Sequence, residues 1–211
     1  MVATVEMLGA VTVLVLAVAL MLARSPEAAV LILAWASVPQ AAIAAALAGW
    51  SGMPVLFADA AAILVVKGFW APRVLGGGIR HQGEVYGYRA AFSSAVLLVG
   101  TGAVTLICLR VGTAILPVSG PALGFGLAAM FTGFWTAAIR SELWSQAAGM
   151  LMGEAGLMTA ALVLSAGLPP VGEILALAEV VLLATILAGM TRLVKATFGS
   201  ADSGLLRGLR G

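Results

Sequence analysis

Three ionisable residues lie deep inside long apolar runs of the sequence: Lys67, Glu154 and Glu179. A charged side chain near the centre of a bilayer is energetically costly, so such a residue is by default a candidate for function. Burial disfavours the charged form of carboxyl and amino groups alike, which makes both able to exchange protons. The chemistry that these residues predict is therefore the relay of protons across a membrane.

The three residues fall at a common depth. With a helix rise of about 1.5 Å per residue, Glu154 and Glu179 lie about 21 and 17 Å from the outer turn between their helices. Lys67 lies about 20 Å from the outer end of its own apolar run. Asp59, two turns before Lys67, would extend this polar layer outward. The alternative is that these side chains only hydrogen-bond neighbouring helices and hold the bundle together.

The elements that must position these residues are transmembrane helices. The chain has 211 residues, of which 62% are hydrophobic and 9% charged, against roughly a quarter charged in an ordinary soluble domain. A helical span needs about 20 mainly apolar residues. The sequence predicts seven such spans, at 3–23, 27–49, 54–75, 91–112, 121–140, 143–166 and 170–191. The predicted fold is an all-α, multi-pass membrane bundle of about seven helices.

Lysines and arginines predict the orientation of the bundle, because they are enriched in cytoplasmic loops. With the C-terminus in the cytoplasm, nine of the eleven fall on the inner side: Arg24, Arg73, Arg80, Arg89, Arg140, Arg192, Lys195, Arg207 and Arg210. The N-terminus is then outside, and the predicted location is the inner (cytoplasmic) membrane, with the periplasm as the outer side if the cell is a bacterium.

Composition also excludes several functions. Cys108 is the single cysteine, so this chain alone cannot assemble a disulfide framework or a cysteine-based zinc or iron–sulfur site. The net charge of +2 comes from scattered loop residues, without the basic cluster that binds nucleic acid. We therefore expect no metal or cofactor in this chain and no nucleic acid among its partners.

Two features of the spans leave alternatives open. Small residues recur where helices could approach closely; they are Gly120, Gly124, Gly149, Gly153 and Gly156. These glycines either pack within one bundle or face another subunit. Pro39 and Gln40 interrupt the second span, either as a packed proline kink or as an unwound, water-lined segment.

Two predicted inner connections complete the pattern. The long inner loop, at about 76–90, begins with three consecutive glycines. A short inner turn carries Arg140 and Glu142, which we expect to form an exposed pair that contributes little energy.

The second half of the chain resembles the three-helix K subunit of bacterial respiratory complex I, over Leu123 to Arg192. The turn Ala-Ile-Arg140 leads into Leu-Met-Gly-Glu154, and Glu179 lies in the middle of the last span. The whole chain resembles hydrogenase-4 component E more closely, a family in which extra N-terminal helices precede that three-helix unit. The segment Lys67-Gly-Phe-Trp-Ala-Pro72 and the tail 205–211 support this resemblance.

The resemblance implies two parts, a four-helix membrane extension at 1–112 and a K-subunit-like three-helix unit with a short cytoplasmic tail at 113–211. It implies a non-catalytic membrane subunit of a complex I-like hydrogenase of the formate hydrogenlyase type. Glu154 and Glu179 match the two mid-membrane acids of the K subunit, whereas Lys67 has no counterpart there. The implied partners are antiporter-like membrane subunits and peripheral hydrogenase subunits, which would carry iron–sulfur clusters and a nickel–iron site.

The buried charges also suit two other functions. A stand-alone, proton-coupled transporter of a small solute would use a kinked helix and buried charges as a solute path. A purely structural subunit would only fill the space between larger membrane subunits. Replacing Glu154 or Glu179 by glutamine would separate a proton relay from a structural role.

Overall fold

The computed structural model describes residues 2–80, 93–140 and 142–165, with five single positions beyond them at 181, 185, 186, 189 and 193. Within these residues every regular element is helical. They are α1 (Val2–Leu22), α2 (Pro26–Ser51), α3 (Val55–Ile63), a π-helix (Leu64–Trp70), α4 (Ala71–Arg80), α5 (Ser94–Ile115), α6 (Gly120–Ile139) and α7 (Leu143–Ser165).

Six helical segments of the described chain are long and apolar enough to span a membrane. The third of these spans, Val55–Gly76, runs from α3 through the π-helix into α4. All six begin and end within three residues of their predicted limits. This confirms an all-helical, multi-pass membrane chain. The predicted seventh span, 170–191, lies outside the described residues except for isolated positions, and the orientation stays a prediction.

Capping residues set the limits of α2. The Ser25 hydroxyl accepts a hydrogen bond from the Ala28 amide at 3.2 Å, and Pro26 occupies the first helical position, where its missing N–H costs nothing. The helix ends at Ser51 and is followed by Gly52. The φ of Gly52, 68°, lies in the left-handed region that glycine enters without strain. The second span is thus bounded by local sequence signals.

The structure decides two local features of the spans. Of the two alternatives for Pro39 and Gln40, the packed proline is observed: Pro39 is buried within a continuous α2, so the segment around Gln40 is a helix and not an unwound stretch. The three glycines from Gly76 onward continue α4 as far as Arg80, although the sequence predicted that a loop begins there. Glycine costs a helix only about 1 kcal/mol per residue, and continued backbone hydrogen bonding can offset that cost.

The most buried of the six described spans is α7. In its most apolar stretch 72% of the residues are buried, against 22% in that of α5. Among the described elements, α7 packs against α6, α1 and α2, and α5 packs mainly on α6. The third span packs on α2. Residues on α7 therefore face several neighbouring helices at once, which is where a buried polar site can be assembled.

Glycines allow α6 and α7 to approach each other backbone to backbone. A Cβ atom at Gly149 would lie 2.5 Å from the backbone nitrogen of Ala137, and one at Gly133 would overlap the backbone nitrogen of Gly153. On the other side of α6, a Cβ at Gly124 would lie 2.7 Å from the Cα atom of Leu109 in α5. These predicted small-residue faces pack within this chain.

Arg140 lies at the end of the bundle where α1 and α6 both terminate. It follows α6 in an extended conformation, and its side chain is 2% exposed. One guanidinium nitrogen, Nη2, donates hydrogen bonds to the backbone oxygens of Met21 and Ala23 at the end of α1. Because the last carbonyls of a helix have no partner inside the helix, a buried cation there satisfies them and stabilises the helix dipole. The prediction of an exposed turn was wrong: Arg140 and Glu142 are both buried.

We expect Arg140→Ala to lower the free energy of unfolding by about 2–3 kcal/mol, since two charge-assisted hydrogen bonds to buried carbonyls are lost. Arg140→Lys keeps the charge but has fewer donors in a fixed geometry, so its effect should be smaller. Thermal unfolding of the detergent-solubilised protein measures both. Arg110→Ala, which removes an exposed arginine of α5, is the control. A melting temperature of Arg140→Ala equal to that of the control would contradict this role.

Candidate functional site

An ion pair joins the third span to α7 inside the membrane-spanning part of the bundle. The Lys67 ammonium nitrogen donates a hydrogen bond to Oε1 of Glu154 at 2.8 Å. The two side chains are 7% and 13% exposed. The structure thus brings together two of the four predicted site residues, although they are 87 positions apart in the sequence.

Lys67 lies at the middle of the π-helix, an uncommon geometry that is frequent at functional sites. The amide of Ala71 bonds to the carbonyl oxygen of Val66, five residues earlier. Pro72 follows directly, and a proline ring collides with the carbonyl four residues before it, here that of Gly68. The wider π-helical turn at this point accommodates the proline ring. It also changes the direction in which the Lys67 side chain projects from the helix.

Gly68 allows α2 to approach this turn. A Cβ atom at that position would lie 2.6 Å from the hydroxyl oxygen of Ser37. That hydroxyl donates a hydrogen bond to the Ala34 carbonyl in its own helix at 2.7 Å, so it does not bond to the ion pair. The glycine beside Lys67 therefore serves close helix packing.

Gln40 of α2 is the third polar side chain at this site, and it is completely buried. Its amide nitrogen donates to the backbone oxygen of Ala155 at 2.6 Å and lies 3.4 Å from the hydroxyl of Thr159. The Thr159 hydroxyl also donates to the Ala155 oxygen, at 2.9 Å. Gln40 is not among the site residues predicted from the sequence. Its position directly after a proline inside a span was the available signal.

A small cavity lies between α2, the third span and α7. Its volume is about 20 Å³, and its polar lining includes Gln40, Lys67 and Glu154. Apolar side chains line the rest, among them Leu33 and Leu151. The site thus combines two opposite charges and an amide around a space of roughly one water molecule.

Asp59 does not join the ion pair. It lies eight residues before Lys67, about 12 Å along a helix axis, and is 6% exposed. Its Oδ2 atom has no hydrogen-bond partner within the part of the chain that the structure describes. Glu179, the fourth predicted site residue, lies outside the described residues. The described site is therefore the pair Lys67–Glu154 with Gln40 beside it.

Two other buried acids lie away from the ion pair. Glu6 of α1 accepts a hydrogen bond from the hydroxyl of Ser119 at 2.8 Å, next to the N-terminus of α6, where a negative charge is favourable. Glu142 lies in the turn before α7 and is 6% exposed. Residues 2–80, 93–140 and 142–165 contain no group of three histidine, cysteine, aspartate or glutamate side chains placed to hold a metal ion.

The geometry allows direct proton exchange between the paired groups. At 2.8 Å a proton of the ammonium can pass to the carboxylate along the existing hydrogen bond, which converts the ion pair to a neutral amine and a neutral acid. The hydrogen bond between Nζ of Lys67 and the carboxylate of Glu154 is therefore a path along which a proton can pass.

No family model matches this chain, and no curated protein or solved structure is detectably similar to it.

Proposed function

We propose that this chain is a non-catalytic membrane subunit of a complex I-like hydrogenase of the formate hydrogenlyase type, and that Lys67 and Glu154 relay protons within it. The observation that carries the proton relay is the buried ion pair of 2.8 Å between two membrane spans, whereas membership of such a complex rests on the sequence resemblance. Isolated charges inside spans are costly, and where they occur they commonly mark proton or ion pathways. Residues that only glue helices together need no titratable groups.

In the proposed arrangement the chain lies in a bacterial cytoplasmic membrane with its N-terminus outside. Glu179 would form the next acid along the path, and Asp59 would connect the pair to the outer side. Electron transfer would take place in partner subunits, which would hold the iron–sulfur clusters and the nickel–iron site. This chain would contribute proton-carrying side chains beside antiporter-like subunits.

A transporter of a small solute is the second candidate function, and the size of the cavity argues against it. The cavity beside Lys67 and Glu154 has a volume of about 20 Å³, which is enough for roughly one water molecule. The polar groups at this site fit proton exchange better than solute binding.

The proposal is tested by purifying the chain from its native membrane in mild detergent through a tag at its C-terminus. We expect antiporter-like membrane proteins and an iron–sulfur or nickel-containing subunit to co-purify, with nickel and iron in the sample by metal assay. Membranes without the tagged chain, treated in the same way, are the control. Recovery of a lone or self-associated 21.3 kDa chain without metal would contradict membership of such a complex and favour the transporter.

A further inference from the structure

The amide of Gln40 has a fixed orientation. The backbone oxygen of Ala155 can only accept hydrogen bonds, and it lies 2.6 Å from one amide atom of Gln40, which must therefore be the nitrogen. The carbonyl oxygen of the same amide, Oε1, points away from that contact. It is fully buried and has no hydrogen-bond partner among the described residues.

A buried acceptor of this kind is nearly always satisfied by protein or by an ordered water. Gln40 lines the cavity beside the ion pair. The cavity is large enough for one water molecule, since about 10–15 Å³ of such space suffices. A buried water also needs two to four polar partners, and Gln40, Lys67 and Glu154 supply an acceptor, a donor and a second acceptor.

We propose that this cavity binds one water molecule, held between Oε1 of Gln40 and the Lys67–Glu154 ion pair. The water donates one hydrogen bond to Oε1 and accepts one from the ammonium of Lys67, which uses a single N–H in its bond to Glu154. Its second hydrogen is available to the carboxylate. Gln40 is then a positioning residue, which holds the water through an amide that is itself anchored on α7.

The charges at the site favour water over a metal cation. The carboxylate of Glu154 is already balanced by the ammonium of Lys67 at 2.8 Å, so the pair presents no net negative charge to the cavity. A cation entering the cavity would meet the like charge of Lys67, with one amide oxygen as a ligand and an already paired carboxylate as the only anionic ligand among the lining residues. A neutral ligand with both a donor and an acceptor fits these groups.

The water site deepens the proposed function, because it gives the ion pair a third group that can exchange protons. Lys67 can pass a proton to the water oxygen while the water passes one of its own protons to Glu154, so that the water is regenerated and the two side chains become neutral. This role rests on the proposed function. Binding of the water does not rest on it.

The test is a structure of the protein in lipid nanodiscs, determined at a resolution that shows ordered water, for the wild type and for Gln40→Met. We expect one density peak within hydrogen-bond distance of Oε1 of Gln40 and Nζ of Lys67 in the wild type. In Gln40→Met the peak should be lost while Lys67 and Glu154 remain paired. Ser37→Ala is the matched control, because Ser37 lines the same cavity but its hydroxyl already bonds to Ala34.

A wild-type cavity without density would overturn the proposal, and so would a peak that persists unchanged in Gln40→Met. A peak that depends on the sodium concentration of the sample would show a cation instead. Because this readout is water occupancy and not transport, it is independent of the proposed function. An ordered water in a chain that purifies alone would refute the hydrogenase assignment and leave the water site standing.

Discussion

Glu154→Gln is expected to reduce proton translocation by the proposed complex by about tenfold or more, while that complex still assembles. Glutamine keeps the size of the side chain but cannot take up a proton from Lys67, and a proton transfer step of this kind contributes about 10²–10⁴-fold to a rate. The measurement is acidification of inverted membrane vesicles, followed with a pH-sensitive dye, alongside the rate of hydrogen turnover. Turnover should continue and acidification should fall.

Stability must be separated from transport in this experiment. Removing one partner of a buried ion pair leaves the other charge uncompensated and costs about 3–5 kcal/mol, so Glu154→Gln and Lys67→Met each destabilise the protein. The double variant Lys67→Met/Glu154→Gln removes both charges and should recover most of that stability. It should nevertheless stay uncoupled, because it has no titratable group at the site.

The double variant therefore decides between a relay and a structural pair. Full acidification together with recovered stability would refute the relay and leave a structural ion pair. Glu27→Gln is the control, since Glu27 is an exposed acid in the first turn of α2 and its replacement should change neither readout. Reversing the pair in Lys67→Glu/Glu154→Lys keeps both titratable groups and should retain more activity than the double neutral variant.

Gly133→Leu is expected to prevent α6 and α7 from packing, with loss of most folded protein. Any Cβ atom at Gly133 would overlap the backbone of Gly153 in α7, and neither backbone can move without separating the helices. Even modest overpacking of a core costs about 1–3 kcal/mol, and here the obstacle is backbone, not a flexible side chain. Gly133→Ala should already lower the melting temperature measurably. Fluorescence-detected gel filtration after heating measures the folded fraction.

Gly102→Ala is the matched control for this prediction. Nothing lies within 4 Å of a Cβ atom at Gly102 in α5, so alanine should leave stability unchanged or raise it by up to about 1 kcal/mol through its higher helix propensity. A Gly133→Leu protein that folds and melts like wild type would show that α6 and α7 do not meet at these glycines. Such a protein that folds but loses its partners would indicate that the glycines face another subunit.

The spans and the two paired charges were accessible from the sequence. Hydropathy is a local property, because a helix in lipid must present about 20 apolar residues whatever surrounds it, and six predicted spans agree with the structure to within three residues. The depth of Lys67 and of Glu154 follows from the same counting. Ser25 and Gly52 set the limits of α2 for equally local reasons.

The contacts among these helices were decided only by the tertiary structure. Glu154 meets Lys67 across 87 residues, and Arg140 reaches the end of α1 across more than 100. Hydropathy does not determine the rotation of one apolar helix against another, since nearly every face of such a helix is apolar. For this reason the sequence predicted an exposed turn at Arg140. In the structure its side chain is buried, because it donates hydrogen bonds to backbone oxygens at the end of α1.

Gln40 shows the same difference between what the sequence predicted and what only the tertiary structure decided. Its place after Pro39 allowed either a packed proline kink or an unwound segment. In the structure α2 is continuous there, and the polar side chain bonds to the backbone of α7. The sequence determined that this chain crosses a membrane and carries opposite charges near the middle of two spans. Only the packing of α2, the third span and α7 brought those charges and the amide of Gln40 to one cavity, because burial inside a bundle depends on which helix faces meet.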